Sequence, residues 1–411
     1  MTDIADLDAT ASREWDHDFA PLVIRGRRAL PIVQGGMGVG ISAHRLAGTV
    51  AGLGAVGTIA SIDLRRHHPD LMAQSANTDK ATVTIANMTA LDREIRAAKA
   101  LAGGRGIVAV NIMRAVSDYA SSVRQACASG ADAIVMGAGL PLDLPDLAAD
   151  FPDVALVPLL SDARGIQLVI KKWARKGRVP DAIVIEHPRH AGGHLGAAKI
   201  EDLSDPRFDF ERVLPDVHAY FRAEGIAADA IPLIPAGGIN SHARLRELLS
   251  LGAAAVQLGT AFAVTEEGDA PIAFKRVLAG AAPEDIVEFM SVAGLPARAV
   301  RTPWLENYLR YLPKLTAAAR KKPRCSLKWD CLVQCGLRDG NAKIGQFCID
   351  TQLASALKGD VAKGLFFRGG ASLPFGGEIR PVRDLVGYLL TGRDPAGAVA
   401  LTRREPAGAI A

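Results

Sequence analysis

The stretch Ile231-Pro232-Leu233-Ile234-Pro235-Ala236-Gly237-Gly238-Ile239-Asn240-Ser241, taken with Ala253-Ala254-Ala255-Val256-Gln257-Leu258-Gly259-Thr260, decides the fold. In each, a short apolar run ends in glycine and gives way to polar residues, the pattern of a strand buried on both faces that turns into a helix. Gly237 and Gly238 lack side chains, so backbone N–H groups there can approach an anion, and a helix opening at Ser241 adds its positive dipole. Gly259 and the Thr260 hydroxyl complete the same cradle from the neighbouring loop. In a parallel (β/α)8 barrel, phosphate binds in the loops after the seventh and eighth strands. The pair therefore predicts the last two strands of a barrel with a phosphate at its mouth. The competing reading is that these glycines only make tight strand-to-helix turns.

Working outward, six more apolar runs precede the pair: Leu30–Gly35, Ala55–Ala60, Ile107–Ile112, Ala131–Met136, Val154–Leu160 and Ala182–Ile185. Amphipathic spacing predicts helices over Ser42–Gly52, Thr89–Leu101, Val116–Ser129, Arg164–Lys176, Phe210–Glu224 and Ser241–Leu251. Ser42 and Ser241 stand where N-caps belong, and Gly130, Gly177, Gly225 and Gly252 where helices stop. Eight strands met in one pass, with helices between them, predict a closed (β/α)8 TIM barrel of the α/β class; an open doubly wound sheet is the alternative. The expected organisation is an N-terminal extension (1–27), the barrel (28–265), a helical substrate-covering region (266–320) and a cysteine-containing C-terminal segment (321–411) that starts at Lys321-Lys322-Pro323.

Composition agrees with layered α/β structure. Hydrophobic residues make up 49% and aromatics 5% of the 411 residues, which lets helices lie close on a sheet and excludes a disordered or fibrous chain. The 48 basic and 44 acidic side chains leave a net charge of +4, with no basic stripe interleaved with aromatics, so nucleic acid is not an expected partner. The densest basic run, Lys171 to Arg178, reads as the solvated end of a helix. The start, Met1-Thr2-Asp3-Ile4-Ala5-Asp6-Leu7-Asp8, is acidic without an apolar core, and no run is long enough to span a bilayer. A cytoplasmic protein follows, with no membrane partner and no structural disulfides.

Several motifs are similar to those of the nitronate monooxygenase family, which includes flavin-dependent enoyl-acyl-carrier-protein reductases. Pro31-Ile32-Val33-Gln34-Gly35-Gly36-Met37-Gly38 resembles the family's opening strand, and Ala191-Gly192-Gly193-His194-Leu195-Gly196 its Ala-Gly-Gly-His-x-Gly loop. Pro235 to Ile239 and Gln257 to Phe262 resemble its phosphate-binding pair, and Gly294-Leu295-Pro296-Ala297-Arg298-Ala299 a post-barrel element. The resemblance implies FMN held by Gly36, Met37, Asn111, Gly193, Gly237, Gly238, Gly259 and Thr260, with His194 as the catalytic histidine. Read from the residues alone, His194 sits in a glycine-rich loop at the catalytic end of a strand, where an imidazole can serve as acid or base or merely hold the loop.

Two departures stand out. Glu186-His187-Pro188-Arg189-His190 replaces the small residue and Glu usual before the histidine loop, so two histidines and an arginine are expected to line the approach to the flavin. Strand one reads Gln-Gly-Gly-Met where many relatives carry Ala-Pro-Met. Beyond the family pattern, Cys325, Cys331, Cys335 and Cys348 follow the spacing C-x5-C-x3-C-x12-C. Four clustered thiols point to a [4Fe–4S] cluster, to tetrahedral zinc, or to unligated cysteines packed as small apolar groups. Cys127, on a helix, reads as core.

The first expected activity is FMN-dependent oxidation of alkyl nitronates or a related small molecule, with His194 as acid/base. The alternatives are an NAD(P)H- or iron–sulfur-linked reductase of an enoyl thioester or quinone, and a non-flavin phosphate-binding isomerase or synthase. Gly364 to Gly370 is expected either to cap the pocket or to form a contact in a homo-oligomer.

Overall fold

In the computed structural model, which describes residues 14–76, 78–320, 325, 327 and 330–395, each of the eight apolar runs carries a parallel strand. Met1–Asp8 and Lys321-Lys322-Pro323 lie outside the described residues. The strands are β1 (Ile32–Gln34), β2 (Val56–Ala60), β3 (Ile107–Met113), β4 (Ala133–Gly137), β5 (Ala155–Leu160), β6 (Ile183–Glu186), β7 (Leu233–Ala236) and β8 (Val256–Leu258). They close into a barrel in chain order, with β8 beside β1 through Val256 opposite Ile32. Side chains alternate across each strand. Val33, Val56, Ala109, Val135, Val157, Val184 and Ile234 fill the barrel, whereas Ile32, Ile59, Val108, Val110, Ile134, Leu156 and Ile183 face the helices. An antiparallel hairpin, Leu22–Ile24 with Arg27–Ala29, adds Leu22, Ile24 and Ala29 to the interior cluster. It plugs the N-terminal end, where Arg25 reaches Asp181 ahead of β6 at 3.0 Å.

The longer helices between the strands are α1 (His44–Gly52), α2 (Lys80–Ala102), α3 (Tyr119–Ala128), α4 (Ala163–Ala174), α5 (Phe210–Ala223) and α6 (His242–Ser250). Helix α2 starts well before Thr89, because Asp79 caps it by accepting from Thr82 N at 2.9 Å. The threonines of its first turns weaken the helical signal in the sequence. Ser241 does cap α6, accepting from Arg244 N at 3.2 Å. Ser42 does not cap α1. Its hydroxyl accepts from Met37 N at 2.8 Å, and Asp269 accepts from the N–H groups of Ala43, Arg45 and Leu46 at 2.7, 3.1 and 3.1 Å.

After β8 only a short turn of helix, Thr260–Ala263, follows. The outer position left open there is taken by Val382–Thr391 at the other end of the sequence. Val382, Leu385, Val386, Leu389 and Leu390 join the outer core of the barrel, and His242 of α6 meets the Leu389 carbonyl at 2.9 Å. Residues 266–320 hold helices Ile272–Gly280 and Pro303–Ala318 and, between them, an antiparallel hairpin of Ile286–Met290 with Pro296–Val300. No helix of the described residues is long and apolar enough to cross a membrane.

Candidate active site

A cavity of about 800 Å³ opens at the C-terminal ends of the strands, a size that suits a cofactor together with a small substrate. Gly36, Met37, Asn111, Gly193, His194, Gly237, Gly238, Gly259 and Thr260 all lie in its wall, although they come from five separate stretches of the chain. Backbone at Gly36 runs so close to β3 that a Cβ there would stand 2.3 Å from the Asn111 Cβ.

At one end of the cavity, Gly237 and Gly238 hold φ at +97° and +76°. Both are left-handed conformations that favour glycine. A Cβ at Gly238 would meet the His190 ring at 2.9 Å, so the absence of side chains both permits the turn and keeps the N–H groups open. Thr260 Oγ1 accepts from Gly369 N at 3.0 Å, and Gly370 N donates to the His190 carbonyl at 3.1 Å. Residues 366–370 thus form a strap across the glycine turns. A Cβ on Gly192 would stand 2.5 Å from Gly369 N, which explains one glycine of the histidine loop by contact with the strap.

The strap also delivers Arg368, which the sequence reading missed. Its guanidinium is buried in the cavity wall and donates to the carbonyls of Leu278 at 2.9 Å and Gly369 at 3.0 Å. Burial pulls its pKa down, and among the described residues no carboxylate acts to restore it. A buried cation without a counter-ion beside an N–H cradle is a seat for an anion. No local sequence signal marks it, since only the fold brings residue 368 to Thr260.

His194 is held by backbone pairing. Gly193–His194 forms a short strand against Ala297 and Arg298, and Leu195 N donates to the Pro296 carbonyl at 2.8 Å. The post-barrel hairpin therefore fixes the loop, with Phe367 beside the ring at 5.7 Å between centroids. Nε2 is buried with no hydrogen-bond partner among the described residues. Burial lowers the imidazole pKa to about 4, so the ring is neutral at neutral pH. Glu186, in the same wall, is pushed up to about 8 by burial, partly offset by Arg298, and is protonated there.

The run before the histidine loop departs from expectation. Of its two histidines and its arginine, only His190 lines the cavity. His187 turns outward, with Nε2 at 3.1 Å from Asp209 and its ring edge-on to Phe210, and Arg189 donates to the Ser204 carbonyl at 3.0 Å. Buried Arg298 organises this run by donating to the carbonyls of Pro188 at 3.0 Å and Ala191 at 2.5 Å, while pairing with Glu288. Gln34, the other departure, is structural: its amide accepts from Thr58 N at 2.8 Å and donates to the Thr58 carbonyl at 3.1 Å, clamping β1 to β2.

The cysteine-bearing segment docks on the same rim. Cys331 lies in the cavity wall, where Ser117 N donates to its carbonyl at 3.2 Å. Burial first, and then the neighbouring Cys335, Asp350, Cys348 and Cys325, push its thiol up to about 12. All four cysteines are free, and no three His, Cys, Asp or Glu side chains of the described residues are grouped to hold one ion. Cys127 is buried in the outer core against the barrel, as expected.

The residues fit FMN on the chain's own geometry: an N–H cradle that side chains would fill, an uncompensated guanidinium beside it, and an orphaned imidazole facing the same cavity. Comparison with known proteins agrees. The family model described as nitronate monooxygenase matches residues 27–390. A nitronate monooxygenase of Pseudomonas aeruginosa is 35% identical over 120 residues, 29% of this chain and 31% of that protein. A 5-hydroxy-7a-methyl-1-oxo-octahydro-1H-indene-4-carboxyl-CoA dehydrogenase of Rhodococcus jostii is 30% identical over 191 residues, 45% of this chain and 47% of that protein. The matched stretches thus span less than half the length of either relative. The solved structure of FabK from Thermotoga maritima superposes with a TM-score of 0.60 at 21% identity, covering 91% of this chain and 94% of that one, which shows a shared fold.

Proposed function

The chain belongs to the nitronate monooxygenase family, and from that premise we propose that it is an FMN-dependent oxidoreductase that oxidises a small nitronate-type anion. Gly36, Met37, Asn111, Gly193, Gly237, Gly238, Gly259 and Thr260 contact the cofactor, and His194 is the catalytic acid/base. The observation that carries this reading is the convergence of the glycine cradle, Arg368 and the unpartnered His194 Nε2 on one cavity.

Bound in the cradle, FMN supplies the two-electron exchange. The protein's own part is binding, orientation and proton handling. Gly237 and Gly238 present N–H groups to the phosphate, and Arg368 adds the charge. Neutral His194 offers Nε2 as the atom where a substrate proton is taken or returned. An anion seated beside it favours the imidazolium and raises its pKa from about 4 towards neutrality. Glu186, protonated at neutral pH, donates to such an anion instead of repelling it.

A second reading is favoured by Cys331 in the cavity wall: a reductase of an enoyl thioester or quinone, served by a one-electron centre on that rim. The test is to purify the protein, record its visible spectrum, and assay alkyl nitronates with dioxygen against enoyl thioesters and quinones without it. Flavin bands with nitronate turnover support the first reading, and turnover only of the thioester or quinone supports the second. A protein that neither retains nor rebinds FMN overturns both.

A further inference from the structure

We infer that His190 is a further residue of the phosphate seat, binding the phosphate of FMN as an imidazolium beside the Gly237-Gly238 turn. The inference rests on the flavin reading given above.

Backbone contacts fix where His190 stands. Its N–H donates to the His187 carbonyl at 3.1 Å, and its own carbonyl accepts from Gly370 N of the strap at 3.1 Å. The ring lies against the second glycine of the turn, where a Cβ on Gly238 would meet His190 Cγ at 2.9 Å and Cδ2 at 3.0 Å. It lines the cavity, and no hydrogen bond from the described residues occupies its ring nitrogens. The ring also meets that of His187 at 4.8 Å between centroids. His187 is already committed: Nδ1 accepts from Arg189 N at 3.2 Å, so the proton sits on Nε2, which donates to Asp209 at 3.1 Å. One histidine of the pair is thus held as wall, and the other keeps its donors for the cavity.

The charges around His190 call for an anion. Burial and then His187, Arg189, Arg298 and Arg244 oppose its protonation and pull it down to about 4, so the ring of the protein alone is neutral at neutral pH. The nearby carboxylates are engaged with other groups: Glu288 pairs with Arg298, Glu211 and Glu247 pair with Arg244, and Asp209 accepts from His187 and lies 4.0 Å from Arg189. A corner with this excess of basic groups attracts negative charge. A phosphate seated there reverses the balance: it favours the imidazolium, and His190 takes up one proton from solvent as the ligand binds. The charged ring then adds a charge-assisted N–H···O contact to those of the backbone. Because the pKa is higher with ligand than without, affinity is greatest at low pH and falls as pH rises through the bound value. Arg368 brings a fixed charge to the same end of the cavity, and His190 one that depends on pH.

The full-length protein, freed of flavin, is to be titrated with FMN and with riboflavin, which lacks the phosphate, by flavin fluorescence between about pH 6.5 and 8.5, where the phosphate is mainly dianionic. At the lower pH, His190→Phe keeps a ring against Gly238 but has no N–H. It is expected to lose about tenfold or more in FMN affinity while binding riboflavin within about twofold of the parent. The parent's preference for FMN over riboflavin should fall severalfold across the range, and His190→Gln, a donor that does not titrate, should show no such fall. Taking the ratio of the two flavins cancels Glu186, whose ionisation at about pH 8 acts on both. Equal losses of FMN and riboflavin in His190→Phe would assign the ring to packing and overturn the inference, as would an unchanged FMN affinity. A preference that is flat in the parent, or that slopes equally in His190→Gln, overturns it too. A parent that binds both flavins alike leaves flavin binding standing and removes the phosphate seat; one that binds neither defeats the flavin reading itself.

Discussion

Under the proposed function, two buried titratable groups set the chemistry at the scale of single residues. Glu186 is raised from 4.5 to about 8, so the fold favours its protonated form. That contribution is complete below the ordinary carboxylate pKa and is lost as pH rises through about 8. His194 is lowered from 6.5 to about 4, so its neutral form is favoured; that contribution is present above the ordinary imidazole pKa and lost as pH falls through about 4. Activity is therefore expected to decline above about pH 8 as Glu186 ionises. Glu186→Gln, which stays neutral and keeps a donor, should abolish the alkaline limb of kcat/KM while retaining turnover at neutral pH. An unchanged limb would assign it to another group. His194→Ala is expected to lower kcat by about 10²–10⁴-fold with flavin still bound, read by steady-state kinetics beside the flavin spectrum. The sequence made His194 and the glycines legible because their motifs are local. It did not reveal that His194 is neutral, since its pKa comes from what buries the ring.

Distant acceptors and donors decide how the elements join. Asp269 satisfies three N–H groups at the start of α1 from the far side of the barrel's closure. Asp269→Ala is expected to cost about 0.5–2 kcal/mol, seen as a lower Tm. Ser42 gave the wrong signal for that cap because a serine at the right spacing is blind to a better acceptor, Asp269, that lies far away in sequence. Arg298 does comparable work for the histidine loop. Arg298→Met leaves the Pro188 and Ala191 carbonyls unpaired, at about 1–3 kcal/mol each. The Glu186–His190 run should then loosen and FMN affinity fall, measured by quenching of flavin fluorescence, with Arg298→Lys recovering part of it. Retained affinity in Arg298→Met would show that the loop holds its shape without the guanidinium.

For the whole molecule, the C-terminal helix completes the ring that β8 leaves open. Its five buried apolar side chains are worth about 1.5–3 kcal/mol each, which together is on the order of a domain's entire stability. A chain ending before Arg380 is therefore expected to be recovered insoluble, or to unfold without a cooperative transition by calorimetry; a soluble, cooperatively folding truncation would contradict this. From sequence alone, the period of the apolar runs and the glycines that end them determined the barrel, its strand order and the glycine turns at its mouth, because those signals lie within a few residues of one another. Only the tertiary structure decided that the C-terminal segment returns to close the barrel, that its strap brings Arg368 to Thr260, and that His187 and Arg189 face away from the cavity. Each of these depends on contacts between residues far apart in the chain, and local spacing carries no record of such contacts.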